Sequence, residues 1–165
     1  MLQPVCRRTW APEGHTPVQR SWDRRDRLSP VAAITVSPQR RRLGVLFQIH
    51  SHNIRGEHVA SFLRELHRHL RRIILVLDRY SVHRKAVRLV ATAHPRWFDP
   101  EWLPPYAPEL NPVEQIWNHS KYSDLANFIP DDVYHLRHEL VCSLCDQQAN
   151  PRLLRSFFEH AELSL

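Results

Sequence analysis

At 165 residues the chain is one domain's worth, with enough length to bury a core. It has no apolar run near the roughly eighteen residues a membrane span needs, Arg7 and Arg8 stand where a signal peptide would be apolar, and three cysteines (Cys6, Cys142, Cys145) make no disulfide framework; these features predict a cytoplasmic protein with reduced thiols, nucleoid-associated when bound to DNA. The net charge of +6 hides an asymmetry: residues 1–96 hold 19 Arg/Lys against 6 Asp/Glu, a net +13, and residues 97–165 hold 4 against 11, a net −7.

Along the chain, Val31–Val36 (VAAITV) and Leu43–Ile49 (LGVLFQI) read as two strands joined by Ser37-Pro38-Gln39-Arg40-Arg41-Arg42, a hairpin. From Glu57 the period changes. Val59, Phe62, Leu63, Leu66 and Leu70 fall on one helical stripe and Arg64, His67, Arg68 and Arg71 lie off it, so an amphipathic helix with a basic outer face is expected. Ile73–Leu77 is too short for a helix and does not alternate, the pattern of a strand covered on both faces. Ser81 is placed to cap a helix carrying Val82, Ala86, Val87, Val90 and Ala93 inward until Pro95 stops it. A short strand near 97–103 and a helix from Pro112 follow. Farther on, Val133, Leu136, Leu140 and Leu144 stripe another helix, and Leu153, Leu154, Phe157 and Phe158 a closing one. The order is α/β, without repeats or low-complexity segments.

Asp78 ends the apolar run Ile73–Leu77, at the carboxyl end of a strand, where open α/β sheets place their ligand-binding groups. A carboxylate there can bind a metal, accept a phosphoryl group, hold a ribose hydroxyl, or satisfy the N-terminus of the next helix, and for an isolated Asp the last role is the commonest. A second acid appears in "LPPYAPELNPVEQIW", Leu103–Trp117: the prolines keep the approach extended, Asn111 can cap a helix beginning at Pro112, and Glu114 is its third residue. Asn111 and Glu114 could form an ordinary capping box. Yet Leu110, Val113, Glu114 and Trp117 share one helical stripe, and a carboxylate facing a core must be paired, protonated or metal-bound. An Arg-rich half beside such acids suits a polyanion held over a metal site, and a solvated basic surface is the plainer alternative.

"LVLDRYSVHR" (Leu75–Arg84), "YAPELNPVEQIW" (Tyr106–Trp117) and "RRTWAPEGHTP" (Arg7–Pro17) together resemble the catalytic domain of DDE-class insertion-sequence transposases of the mariner-like superfamily, over most of the chain. The resemblance implies a ribonuclease-H-like mixed sheet flanked by helices, with residues 1–165 forming part of the catalytic domain. It also implies DNA cleavage and strand transfer through two Mg²⁺ or Mn²⁺ ions, held by an Asp on a first, central strand, an Asp ending the fourth strand and an acid in a later helix. Asp78 matches the second acid; Glu114, with 35 residues between, matches the third. Since "MLQPVCRRTW" opens the sequence, the strand carrying the first Asp has no counterpart, and Glu13, Asp23 and Asp26 are no natural substitutes. The expected partners are transposon-end and target DNA, an upstream-encoded transposase half and a second copy of the chain, with no membrane. His83, Arg84 and Arg79 are the candidate DNA contacts.

His135, His138, Cys142 and Cys145 share a helix face, but a rise of ~1.5 Å per residue spreads them too far for one ion; at most His138 and Cys142 act together, and both cysteines are expected to pack against a neighbouring helix. Two other functional classes stay open. One is a non-catalytic DNA-binding remnant or interaction protein. The other, a nucleotide-binding protein using Asp78, is disfavoured by a total of three glycines and the lack of a Gly-rich loop.

Overall fold

The computed structural model describes residues 5, 7, 8, 10–15 and 27–165. Asp23, Asp26 and Cys6, and most of the segment before the hairpin, lie outside the described residues. Strands β1 (Ser29–Val36) and β2 (Leu43–His50) pair antiparallel from Ser29↔His50 to Val36↔Leu43, the hairpin expected from the alternation. Helix α1 (Gly56–Leu70) buries Val59, Phe62, Leu63 and Leu66, as its spacing predicts. Strand β3 (Ile73–Leu77) and strand β4 (Phe98–Trp102) run parallel, joined through helix α2 (Ser81–Ala93). A 3₁₀ turn at Pro108–Leu110 leads into α3 (Pro112–His119), which loosens into a π turn over Ser120–Asp124, followed by α4 (Val133–Gln148) and α5 (Pro151–His160).

Two cores sit on opposite sides of the hairpin, because alternate residues of a strand point to opposite faces. Val31 packs with Val59, Phe62, Leu63 and Leu66 of α1, Leu75 of β3, and Ala86 and Val90 of α2. Leu28, Val45 and Ile49 pack with Ile116, Leu136, Leu140, Leu144, Leu154 and Phe157, which belong to α3, α4 and α5. The helix–sheet–helix layering is the α/β arrangement the sequence implies. Among the described residues the two strand pairs remain separate two-stranded sheets, with no strand joining β1 to β3.

Three local expectations need correction. β3 is covered on one face only: Leu75 is buried, whereas Ile74 and Val76 are 70% and 58% exposed. An unbroken apolar run shows that a strand can be covered on both sides; it does not show that a neighbour is present to cover it. Ser81 does not cap α2 but is its first residue, and the N-cap position belongs to Tyr80. Cys142 and Cys145 are exposed rather than packed, since α4 buries Leu136, Leu140, Ser143, Leu144 and Gln147 instead.

The polar members of that α4 face close a buried network no apolar pattern would reveal. Ser120 Oγ and Ser143 Oγ lie 2.7 Å apart, Ser143 donates to Asp124 Oδ2 at 2.7 Å, and Gln147 Nε2 donates to Ser120 at 2.8 Å. The network joins the π turn to α4 and so fixes the far end of α3. Its near end carries Glu114. No helix among the described residues is long and apolar enough to cross a membrane.

A candidate acid site between strand β3 and helix α3

Asp78 lies directly beyond β3, and its Oδ1 accepts the Tyr80 backbone N–H at 3.0 Å and meets His83 Nδ1 at 2.5 Å. The commonest role of a strand-end Asp is thus partly realised, since one oxygen organises the turn into α2. That leaves Oδ2, which meets no hydrogen-bond partner among the described residues. The strand end is held from the other side as well: Leu103 N–H donates to Leu77 O at 2.8 Å, and Arg79 Nε donates to Leu103 O at 3.1 Å.

Glu114 reaches the same region from α3. Asn111 caps this helix by accepting the Val113 N–H on its side-chain oxygen at 3.2 Å, while its own N–H donates to Pro108 O at 3.0 Å. With that N–H taken, Glu114 has no reason to turn back, and the capping box gives way to a free carboxylate. Glu114 does not face the core squarely: the fully buried residue of α3 is Ile116, which puts half-buried Glu114 on the flank of the apolar face. Burial pushes the Glu114 carboxyl above its ordinary value, the negative charge of Asp78 pushes it further the same way, and His83 opposes both. The fold therefore brings Asp78, His83 and Glu114 within electrostatic reach across 35 intervening residues of sequence.

The remaining candidates separate. Arg84 is exposed in the first turn of α2, beside His83, and Arg79 is turned to the Leu103 carbonyl. His83 as a partner of Asp78 was missed by sequence reading; the available signal was its position on the first turn of the helix that Asp78 opens. A hard divalent ion prefers carboxylate oxygens, and the free Asp78 Oδ2 and Glu114 carboxylate, whose mutual repulsion a cation would relieve, suit one such ion. Among the described residues no group of three or more His, Cys, Asp or Glu is arranged to hold a metal.

Two histidine groupings lie elsewhere. Cys142 Sγ and His138 Nε2 are 3.7 Å apart on exposed α4 turns, while His135 pairs with Asp131. At the end of β2, His50, His52 and His58 crowd together with ring centroids 4.6–5.4 Å apart. His58 Nδ1 accepts the Arg55 N–H at 3.0 Å, so neutral His58 carries its proton on Nε2, 3.2 Å from His52 Nε2. This tautomer offers a proton rather than a lone pair and suits a hydrogen-bonded pair better than a metal ligand.

Residues 1–136 match the family described as DDE superfamily endonuclease. No curated protein matches the chain. Among solved structures, the crystal structure of the Mos1 Strand Transfer Complex is similar at 18% identity with a TM-score of 0.58, over 98% of this chain and 49% of that one. The likeness shows a ribonuclease-H-like fold, and this chain spans about half the length of that protein.

Proposed function

Because the chain belongs to the DDE superfamily endonucleases, we propose that it is part of a transposase acting on DNA phosphodiesters, with Asp78 and Glu114 as its metal-binding catalytic acids. The supporting observation is the raised Glu114 carboxyl, pushed up by burial and then by Asp78: two acids far apart in sequence are gathered where a cation would relieve them. Mg²⁺ or Mn²⁺ is the fitting ion, and when bound it would stabilise charge on phosphoryl oxygens and activate a water or hydroxyl nucleophile. The chain's own residues would do the rest. His83 orients Asp78 through Oδ1 and leaves Oδ2 for the ion, the Leu77–Leu103 and Arg79–Leu103 bonds fix the strand end, and Arg84 is free for DNA phosphate beside the acids.

With two acids, one ion is held and the second lacks a ligand set. We therefore infer that cleavage needs a further acid beyond this pair, an upstream-encoded half being one candidate source, and that the protein works in the cytoplasm on transposon-end and target DNA, with a second copy of the chain as a further partner. The second reading, a non-catalytic DNA-binding remnant, is favoured by the lack of any three-ligand group among the described residues. Titration of Mn²⁺ separates the two. The acid-pair reading expects one site, lost in Asp78→Ala and in Glu114→Ala, and no plasmid nicking by the chain alone above an Asp78→Ala control. An unchanged Mn²⁺ isotherm in both variants would leave the remnant reading standing. Nicking by the chain alone that needs both acids would overturn the requirement for a further acid.

A further inference from the structure

One helical layer carries a net positive charge of its own. Residues 56–96 hold nine Arg/Lys against three acids, a net +6 of the +13 over residues 1–96. Those acids are occupied: Glu57 pairs with Lys85, Glu65 with Arg68 and His69, and Asp78 lies at the acid site. Arg64, Arg71, Arg88 and Arg96 are exposed, and their guanidinium groups meet no hydrogen-bond or ion-pair partner among the described residues. Arg64 and Arg68 sit one turn apart along α1, on the side where Glu57 reaches across to Lys85 of α2, and Arg71 follows at the C-cap just past the helix. Arg84 and Arg88 are one turn apart on α2, opposite buried Ala86 and Val90, and so point outward.

The layer carrying these groups is clamped at both ends. Near the α1 N-terminus, Gly56 lies so close to Lys85 that a Cβ there would stand 2.7 Å from that side chain, and Lys85 pairs with Glu57 at 2.5 Å. At the other end Trp97 is sandwiched between His67 of α1 and His94 after α2, with centroids 3.9 and 3.6 Å away and planes within 8° and 2°. A clamped pair of helices holds the roots of these Arg side chains at fixed spacing, which lowers the backbone ordering cost of binding. Seven residues of α1 rise about 10 Å, comparable to three nucleotides of one strand at about 3.4 Å each.

We propose that the solvent face shared by α1 and α2 binds the phosphate backbone of duplex DNA independently of the Asp78–Glu114 pair, through Arg64, Arg68, Arg71, Arg88 and Arg96. The face rests on the DNA reading only for the identity of the polyanion, and its binding requires neither metal nor cleavage. Arg84, at the acid-site end of α2, would make it continuous with that site.

The test is fluorescence anisotropy of a labelled duplex of random sequence, in chelator, with the full chain. Replacing Arg64, Arg71 and Arg88 together by Glu should raise Kd about tenfold or more and flatten the slope of log K against log salt by roughly 2.7, at about 0.9 per lost phosphate contact. A control with the same charge change, Arg41, Arg42 and Arg152 to Glu on the hairpin tip and α5, should raise Kd less than about threefold. Circular dichroism and melting establish that each variant is folded, and the Arg→Gln triple substitutes if the Glu set is not. The chelator keeps the measurement independent of any ion at Asp78 and Glu114, whatever becomes of the catalytic reading. Equal losses in the two triples would reduce the effect to bulk charge and overturn the proposal. So would unchanged binding in the α1–α2 triple, or an equal loss on anionic phosphatidylserine vesicles, which would make the face a general polyanion surface.

Discussion

The hairpin and the β3–β4 pair differ in how they are supported. β1 and β2 are packed on both faces, with α1 on one side and α3, α4 and α5 on the other, and their residues feed two cores. β3 and β4 are packed on one. Leu75 faces α1 and α2, while Ile74 and Val76 face out, beside exposed Asp99 and Glu101 of β4 in the parallel register. The acid site thus hangs from the less supported sheet, and its position depends on a few bonds around Leu77, Arg79 and Leu103 more than on packing.

Two adjacent residues of β3 put this contrast at its sharpest. Leu75→Ala removes a buried side chain shared by both helices of the layer and should cost about 2–4 kcal/mol in urea unfolding. Ile74→Ala, one residue away, should cost less than about 0.5 kcal/mol, beyond a small loss of strand propensity. Similar costs for the two would mean that the outer face is covered in solution, and the comparison between the sheets would collapse.

How much of this could be read from the sequence follows the same division. Elements packed by alternation or by a helical stripe announce themselves: the hairpin, α1, α2 and α5 all lie where their apolar periods put them. Asp78 and Glu114 were legible because each breaks an apolar pattern. What stayed hidden depends on groups distant in the chain. Whether Ile74 is covered depends on a neighbour that its own five-residue run cannot specify. The Ser120–Ser143–Gln147 network joins polar residues up to 27 positions apart and sits in a π turn with no hydrophobic signal. The His83–Asp78 contact needs the bend at Tyr80, whose N–H Asp78 accepts on the same oxygen that meets His83.

The two regions should also answer acid with opposite sign. At the end of β2, burial lowers the His50 pKa, and His58, His52 and Arg137 add to the same direction; the other charged groups of this corner, Arg55, Glu57 and Lys85, lie along the start of α1 and its contact with α2. Its Nε2 is buried with no hydrogen-bond partner among the described residues. A histidine with a depressed folded pKa contributes stability above its ordinary value near 6.5, and that contribution is lost as pH falls toward the folded value. Melting temperature should therefore drop as pH falls through about 6.5 and below, and His50→Asn should flatten the drop. A parallel fall in parent and variant would move the acid sensitivity away from this corner.

Glu114 has the reverse sign and the smallest expected effect. Its carboxyl is raised in the fold by burial first and Asp78 second, so its favourable contribution is complete below the unfolded value near 4.5 and is lost as pH rises through the folded value. At neutral pH the ionised group is a net strain on the α3 end of the site. Glu114→Gln keeps the shape, removes the charge and should stabilise the protein at neutral pH by on the order of 0.5 kcal/mol, a figure kept low because the group is half exposed and screened. Below about pH 4 the parent is protonated as well, and the two melting curves should converge. The same substitution should erase any stabilisation by Mn²⁺, because the cation and the amide relieve the same repulsion by different means. A variant less stable than the parent at neutral pH would show that Glu114 is already satisfied in the fold, and the strand end at Asp78 would then lose its claim to a cation.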